Sequence, residues 1–223
     1  MTLQEDFIKR KEFILPVIIL FLTPGLMQAN MTNTIVFINY TQPDNTIISA
    51  YAISIMYLGM SLGSILLGPL SDRFEPKRIL TGSLLLTGLG CALMLLYSTA
   101  TPLLILSSAL GILGFGLGAN ATIFMKIVLS NLPSESAGQG TGTYGLFRDL
   151  AAPFGVAVFV PMFTNEITRL TSDSFDALTS ANAAVNAIHM LSFIEICCIT
   201  IGILIVQFLP NIHKNKLLKG EHL

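Results

Sequence analysis

The sequence predicts an all-α membrane protein with six transmembrane helices. Of its 223 residues, 52% are hydrophobic and only 11% are charged, and the mean hydropathy is +0.72. Soluble globular domains carry about 25% charged residues, and a chain this short cannot hide so much apolar surface from water. The composition therefore excludes an ordinary soluble enzyme and a disordered chain, and it places the protein in the lipid bilayer.

Six apolar stretches are long enough to cross a bilayer as helices, which takes roughly 20 residues each. We place these spans at residues 13–38, 47–70, 79–97, 102–129, 140–163 and 183–209, within one domain that covers residues 1–223. Helices are expected because lipid offers no hydrogen-bond partner to the backbone, and the alternating pattern of a β-barrel is absent.

The boundaries between the spans follow from turn chemistry. Residues 42–45, 72–78, 98–102 and 131–135 are rich in Pro, Asp, Asn, Ser and charged residues, and each of these segments separates two spans. The longest connection, residues 164–182, is polar and predicts a loop or a short interfacial helix. Within the spans, Gly59-x-x-x-Gly63 and Gly114-x-x-x-Gly118 predict faces on which helices pack closely.

The basic residues lie mostly on one side of the predicted membrane. With the N-terminus inside, the inner segments carry Lys9, Arg10, Lys11, Arg73, Lys77, Arg78, Lys214, Lys216 and Lys219. Lys126 is at the inner end of the fourth span, and only Arg169 lies outside. Because basic residues favour the cytoplasmic side, we expect both termini to be cytoplasmic in a plasma-membrane protein. The first span lacks a small-residue cleavage site, which favours a retained helix over a signal peptide.

Several kinds of site are not predicted by this sequence. A net charge of −1 gives no basic field that would attract nucleic acid. Cys91, Cys197 and Cys198 lie in apolar runs without metal-ligand spacing, so we expect no disulfide framework and no metal site. No glycine-rich segment ends in the Gly-Lys-Ser/Thr of a phosphate-binding loop, and we expect no cofactor.

The loop between the second and third spans carries a distinctive pattern. It combines the small Gly68 and the acidic Asp72 with the basic Arg73, Lys77 and Arg78. Glycine permits close helix contact, an aspartate can pair with a base or cap a helix, and basic side chains suit the anionic headgroup layer. An ordinary cytoplasmic loop would explain the basic residues, but not their spacing from the glycine and the aspartate.

This loop resembles the signature loop of the major facilitator superfamily, G-x-x-x-D-[RK]-x-G-x-[RK]-[RK]. Glu75 stands where the family has a second glycine, so we expect a turn of different shape. The resemblance implies that the loop takes part in gating. Members of this superfamily consist of two six-helix halves around a central cavity, so it also implies that this chain is one six-helix half.

A second stretch, residues 133–157 with Arg148 inside it, resembles the C-terminal half of fourteen-span drug:proton antiporters. Ala151 stands in place of a glycine of that pattern, and Asp149 is an addition. Residues 46–54 are more similar to an N-terminal half. Both assignments stay open at this stage, with the C-terminal half favoured.

Polar residues inside the spans are the candidates for a transport pathway, because such residues are costly in lipid and face a bundle interior or a cavity. The candidates are Arg148, Asp149, Glu195, Gln28, Asn30 and Asn33. Arg148 lies about 12 Å from the inner end of its helix, and Asp149, about 100° further round, need not pair with it. Glu195 is a candidate proton carrier; the alternative is a structural role, as a protonated acid that hydrogen-bonds to a neighbouring helix.

We therefore expect secondary active transport, with proton-coupled efflux of small organic or amphipathic compounds by alternating access. The partners would be lipid, protons, a small-molecule substrate, and either a complementary six-helix half or a second copy of the chain, which is not expected to transport as a monomer. The alternatives are a non-transporting remnant or a regulatory membrane subunit. An intramembrane serine protease using Ser61 and His189 is disfavoured because these residues lie at different depths.

Overall fold

The computed structural model describes residues 11–44, 47–130, 137–172 and 176–208. These residues form six α-helices and no strand. The helices are α1 (Lys11–Thr41), α2 (Ile47–Arg73), α3 (Pro76–Met94), α4 (Leu103–Ser130), α5 (Ala137–Leu170) and α6 (Ala177–Gln207). Within the described residues, α2 to α6 are long and apolar enough to cross a membrane, and α1 has 31 residues. The all-α membrane fold predicted from the composition is confirmed.

The connection between α5 and α6 is much shorter than the sequence indicated. We expected a loop or a short interfacial helix over residues 164–182, but α5 continues to Leu170 and α6 begins at Ala177. The Thr164 and Thr168 hydroxyls donate to carbonyls four residues earlier. An ion pair between Glu166 and Arg169, three residues apart, also supports this last part of α5.

The start of α6 is fixed by an N-cap. The backbone N–H of Thr179 donates to Asp176 Oδ1 at 3.0 Å, which satisfies one of the free N–H groups of the first turn. The same hydrogen bond holds the pKa of the Asp176 carboxyl below its usual range. This cap places the first residue of α6 six positions before the predicted span.

The helix contacts follow an approximate internal symmetry. The main pairs are α2 with α4, α3 with α4, α1 with α5, α3 with α6 and α1 with α6. Exchanging α1 with α4, α2 with α5 and α3 with α6 maps each of these pairs onto another of them or onto itself. Two related three-helix units therefore make up the bundle, as in transporters built from internal repeats.

Glycine positions determine how closely the paired helices approach. A Cβ atom at Gly59 or Gly63 of α2 would collide with the backbone of α4, and one at Gly114 or Gly118 of α4 would collide with the backbone of α2. The predicted packing role of these four glycines is therefore confirmed. In the symmetry-related pair, Gly155 of α5 lies directly against the Gly25 backbone of α1.

Candidate transport pocket and gating loop

A pocket of about 350 Å³ opens on the surface of the bundle between α1, α2, α4 and α5. It is lined by Thr23, Pro24, Met27, Met60, Leu117, Ala121, Arg148, Asp149 and Ala152. Most of these side chains are apolar, and two are charged. An apolar hollow with a few polar groups is the usual form of a small-molecule site.

The two charged residues of the pocket pair with each other. Arg148 Nε donates to Asp149 Oδ1 at 3.0 Å, and the two side chains are 50% and 70% exposed. The sequence did not require this pairing, because adjacent positions diverge around a helix. Both side chains extend from the helix surface, where they can bend towards each other. The opposite charges of the pair leave the pocket with little net charge.

Glu195 lies elsewhere, in the core between α1, α3 and α6. Its side chain is fully buried. Its Oε1 accepts a hydrogen bond from Asn30 Nδ2 at 2.8 Å, and its Oε2 accepts one from Cys91 Sγ at 3.4 Å. Glu195 was predicted as a transport-pathway residue, but it does not line the pocket: α6 turns it inward, where two donors replace water.

The amide residues predicted on α1 do not line the pocket either. Asn30 and Asn33 are buried, and Gln28 is partly buried and absent from the pocket wall. In the described part of the chain, the side-chain amide of Asn33 and the hydroxyl of Thr34 have no hydrogen-bond partner. Of the six predicted pathway residues, Arg148 and Asp149 therefore line the pocket, and the others lie away from it: Asn30, Asn33 and Glu195 in the core, and Gln28 partly buried on α1.

Cys91 is a functional candidate that the sequence reasoning missed. A single cysteine in an apolar stretch of α3 is most often a small core residue. Only the position of Cys91 relative to the carboxyl of α6, more than one hundred residues later, distinguishes it. No local signal in the sequence could have found this contact.

The loop predicted to take part in gating joins α2 to α3. Asp72 forms an ion pair with Lys126 of α4. The same ammonium group donates to Ser71 Oγ at 3.0 Å and to the carbonyl oxygen of Gly68 at 3.4 Å. A Cβ atom on Gly68 would come within 3.2 Å of the Thr122 side chain, so the expected close helix contact is present as well. Of the two roles that the sequence left open for this aspartate, it thus takes the pairing with a base.

Glu75, which replaces the usual glycine, takes no unusual backbone conformation. It precedes Pro76, the first residue of α3, with φ −58° and ψ 118°, which any L-residue adopts. Its carboxylate forms an ion pair with Arg78, with 3.1 Å between Nε and Oε2. Lys77 donates to the carbonyl oxygen of Gln207 at the end of α6. Arg73 is exposed at the C-terminal end of α2.

The residues of the protease alternative are not brought together. The Ser61 hydroxyl donates to the carbonyl of Tyr57, and His189 Nε2 is 2.9 Å from the carbonyl oxygen of Tyr97. Neither hydrogen bond joins the serine to the histidine. The arrangement that nucleophilic catalysis needs, a hydroxyl bonded to its base, is not formed by this pair.

Comparison with known families gives a direct match. The sequence model described as the Major Facilitator Superfamily matches residues 3–156. The chain belongs to this superfamily. Among curated relatives of this superfamily, the riboflavin transporter RibZ of Clostridioides difficile is 30% identical over 133 residues, covering 60% of this chain and 29% of RibZ. The uncharacterized MFS-type transporter YfiU of Bacillus subtilis is 32% identical over 106 residues, or 48% of this chain and 20% of YfiU.

Solved structures of superfamily members share the fold. The proton:xylose symporter XylE, bound to 6-bromo-6-deoxy-D-glucose, matches with a TM-score of 0.71 at 13% identity, over 94% of this chain and 46% of XylE. The partially occluded inward-open XylE from E. coli matches with a TM-score of 0.69 at 14% identity, over 94% of this chain and 52% of that one. The chain spans less than a third of these curated relatives and about half of the solved transporters. It is a membrane protein with the fold of one six-helix half of a major facilitator transporter.

Proposed function

We propose that this chain acts as one half of a secondary active transporter that moves small organic or amphipathic compounds across the plasma membrane by alternating access, with both termini cytoplasmic. The pocket between α1, α2, α4 and α5 is the observation that carries this proposal. It is a hollow on the outside of the bundle, so a second half placed against it would turn it into an enclosed site between two bodies.

The chemistry of the pocket supports an amphipathic substrate. Met27, Met60 and Leu117 offer apolar contacts, and the flexible thioether side chains adapt to varied ligand shapes. Arg148 and Asp149 offer one donor group and one acceptor group beside this apolar wall. One relative is named a riboflavin transporter, and riboflavin is a small organic compound of the proposed class.

The partner would be a second six-helix half. Arg148 and Asp149 are half or more exposed in the isolated bundle, and a charged group left against lipid costs roughly 3 kcal/mol or more. A second half removes this cost by covering the pocket. We favour a complementary half, and a second copy of the chain is the other candidate.

The energy source would be a proton gradient used for efflux. Vesicles made from cells that express the chain provide the test, with riboflavin and the amphipathic dye ethidium as fluorescent substrates. We expect movement of a substrate to follow an imposed pH gradient and to stop when an uncoupler is added. Transport that depends on ATP and ignores the uncoupler would contradict the proposal.

A further inference from the structure

We propose that a furrow on the surface of the bundle, between α2 and α3, is a lipid-binding site that holds one acyl chain of a membrane phospholipid. The furrow has a volume of about 360 Å³. Its sides are Leu58 and Leu62 of α2 and Leu86 of α3, and α4 forms its base with Gly111, Ile112 and Phe115. It shares no residue with the transport pocket.

The furrow exists because α2 and α3 both pack along α4 but barely touch each other. Two glycines bring α2 and α4 together: a Cβ atom on Gly59 would collide with the carbonyl oxygen of Gly111. Neither glycine has a side chain that could fill the space beside this contact. The space between α2 and α3 therefore stays open on the side that faces away from α4.

The furrow lies near the middle of the bilayer. Leu58 is eleven positions after Ile47, the first residue of α2, and Leu62 is eleven positions before Arg73, the last one. At 1.5 Å per residue, each leucine is roughly 16 Å from an end of the helix. The hydrocarbon core of a bilayer is about 30 Å thick, so at this depth lipid contributes only its acyl chains.

The lining and the size of the furrow favour an acyl chain over other occupants. Among the described residues, those that line it are aliphatic, aromatic or glycine, with no polar side chain. A polar solute would therefore find no side-chain partner for its hydrogen bonds there. A further helix is too wide, because one turn about 10 Å across and 5.4 Å long already fills roughly 400 Å³. An acyl chain is thin, flexible and apolar, and it runs in the same direction as the helices.

The furrow and the transport pocket lie on opposite sides of α2. Met60 lines the pocket, and Leu58 and Leu62 are each two positions away from it, which is about 200° round a helix. Both leucines are more than half exposed. A second half that covers the pocket therefore leaves the furrow facing the bilayer, and only this step rests on the proposed function. An empty furrow would deprive its lining atoms of dispersion contacts, so lipid fills it.

A chain in the furrow differs from the lipid that surrounds any membrane protein. It contacts α2, α3 and α4 at once, and it therefore gains more dispersion contacts than a chain on one exposed helix face. We expect it to exchange slowly, because differences in affinity appear mainly in the dissociation rate. While it is bound, it keeps α2 and α3 apart.

Fluorescence quenching by brominated acyl chains tests the proposal. The sequence contains no tryptophan, so a single introduced indole reports on one place. Phe115→Trp puts it at the base of the furrow, and Phe193→Trp, on the exposed surface near the middle of α6, is the matched control. Both should be quenched in vesicles of brominated phosphatidylcholine. When cyclodextrin exchanges this lipid for unbrominated phosphatidylcholine, the fluorescence of Phe115→Trp should recover at least roughly tenfold more slowly.

A side chain that fills the furrow should remove this delay. A Cβ atom on Gly111 meets only the Ile55 side chain, at 3.2 Å, so Gly111→Leu extends into the furrow. Gly145→Leu on α5, where a Cβ atom meets nothing within 4 Å, should keep the delay. If Phe115→Trp does not insert into the membrane, Leu62→Trp reports on the same furrow from α2.

Three results would overturn the proposal. Equal recovery rates for Phe115→Trp and Phe193→Trp would show ordinary boundary lipid only. A lack of quenching in Phe115→Trp would show that protein, such as a second copy of the chain, covers the furrow. A delay that persists in Gly111→Leu would place the slowly exchanging lipid elsewhere. None of these measurements involves transport, so failure of the proposed transport function leaves the result intact.

Discussion

Lys126 of α4 and Asp72 at the end of α2 form an ion pair that joins these two helices beside the α2–α3 loop. The side chains are 32% and 65% exposed. The pair therefore lies at the surface of the bundle, where an ion pair contributes about 0–1 kcal/mol to stability. A contact that contributes so little energy can break and reform during a transport cycle.

We predict that Asp72→Asn slows transport several-fold and leaves thermal stability within about 1 kcal/mol of the wild type. The amide can still accept a hydrogen bond from Lys126 but loses the charge attraction. Initial transport rates and unfolding of the purified protein measure the two effects. Glu75→Gln, in the neighbouring surface pair with Arg78, is the control. A large loss of stability in Asp72→Asn would assign the pair a structural role instead.

We predict that Gly63→Ala destabilises the bundle by about 1–3 kcal/mol, the usual cost of overpacking. A Cβ atom at Gly63 collides with the carbonyl oxygen of Phe115, which is backbone and cannot rotate away. Gly82→Ala is the matched control, because a Cβ atom there meets nothing within 4 Å. Thermal unfolding in detergent compares the two variants, and equal stabilities would refute close packing as the role of Gly63.

We predict that Arg148→Ala reduces transport at least about tenfold, which is about 1.4 kcal/mol, while membrane insertion is retained. The substitution removes the cationic donor from the pocket and leaves Asp149 as an uncompensated charge. Arg169→Ala, which breaks an exposed pair on the same helix, should transport normally. Transport assays on matched amounts of inserted protein make the comparison. Normal transport by Arg148→Ala would exclude this residue from the pathway.

The proposed orientation can be checked with an impermeant thiol reagent on intact cells. In a background where Cys91, Cys197 and Cys198 are replaced by serine, Asp44→Cys should be labelled, because it lies in the exposed turn after α1. Lys77→Cys, at the start of α3, should be labelled only after the cells are opened. Labelling of Lys77→Cys in intact cells would contradict the proposed orientation and indicate the opposite one.

We predict that the purified chain, reconstituted at a density where it is monomeric, does not transport. The pocket then has no covering half, and alternating access requires two bodies that move against each other. Single-molecule photobleaching establishes the oligomeric state in the same liposomes in which uptake is measured. Saturable, gradient-driven uptake by monomers would contradict this expectation.

The helices and the α2–α3 loop could be predicted from the sequence because their signals are local. Apolar length marks a span, and the spacing from Gly68 to Arg78 marks the loop. The start of α6 was predicted too late in the sequence, because its N-cap residue, Asp176, lies in a polar stretch whose low hydropathy is typical of a loop.

The division of the polar residues could not be predicted from the sequence. Arg148 and Glu195 both appear as ionisable residues in apolar helices, yet one lies in an open pocket and the other in the core. The rotation of each helix about its axis decides between these positions, and packing against other helices sets this rotation. The pairing of Asp72 with Lys126 could not be predicted for the same reason, since the two residues lie on different helices.

The backbone at Glu75 has a mechanical consequence. Only Phe74 and Glu75 separate α2 from α3, and the ring of Pro76 fixes the first dihedral angle of α3. Where the family has a glycine, this chain has a residue with fewer accessible conformations, followed by the most restricted residue of all. The connection between α2 and α3 is therefore stiff, and it transmits a tilt of α2 to the start of α3. The hydrogen bond from Lys77 to the Gln207 carbonyl transmits the same movement to the end of α6.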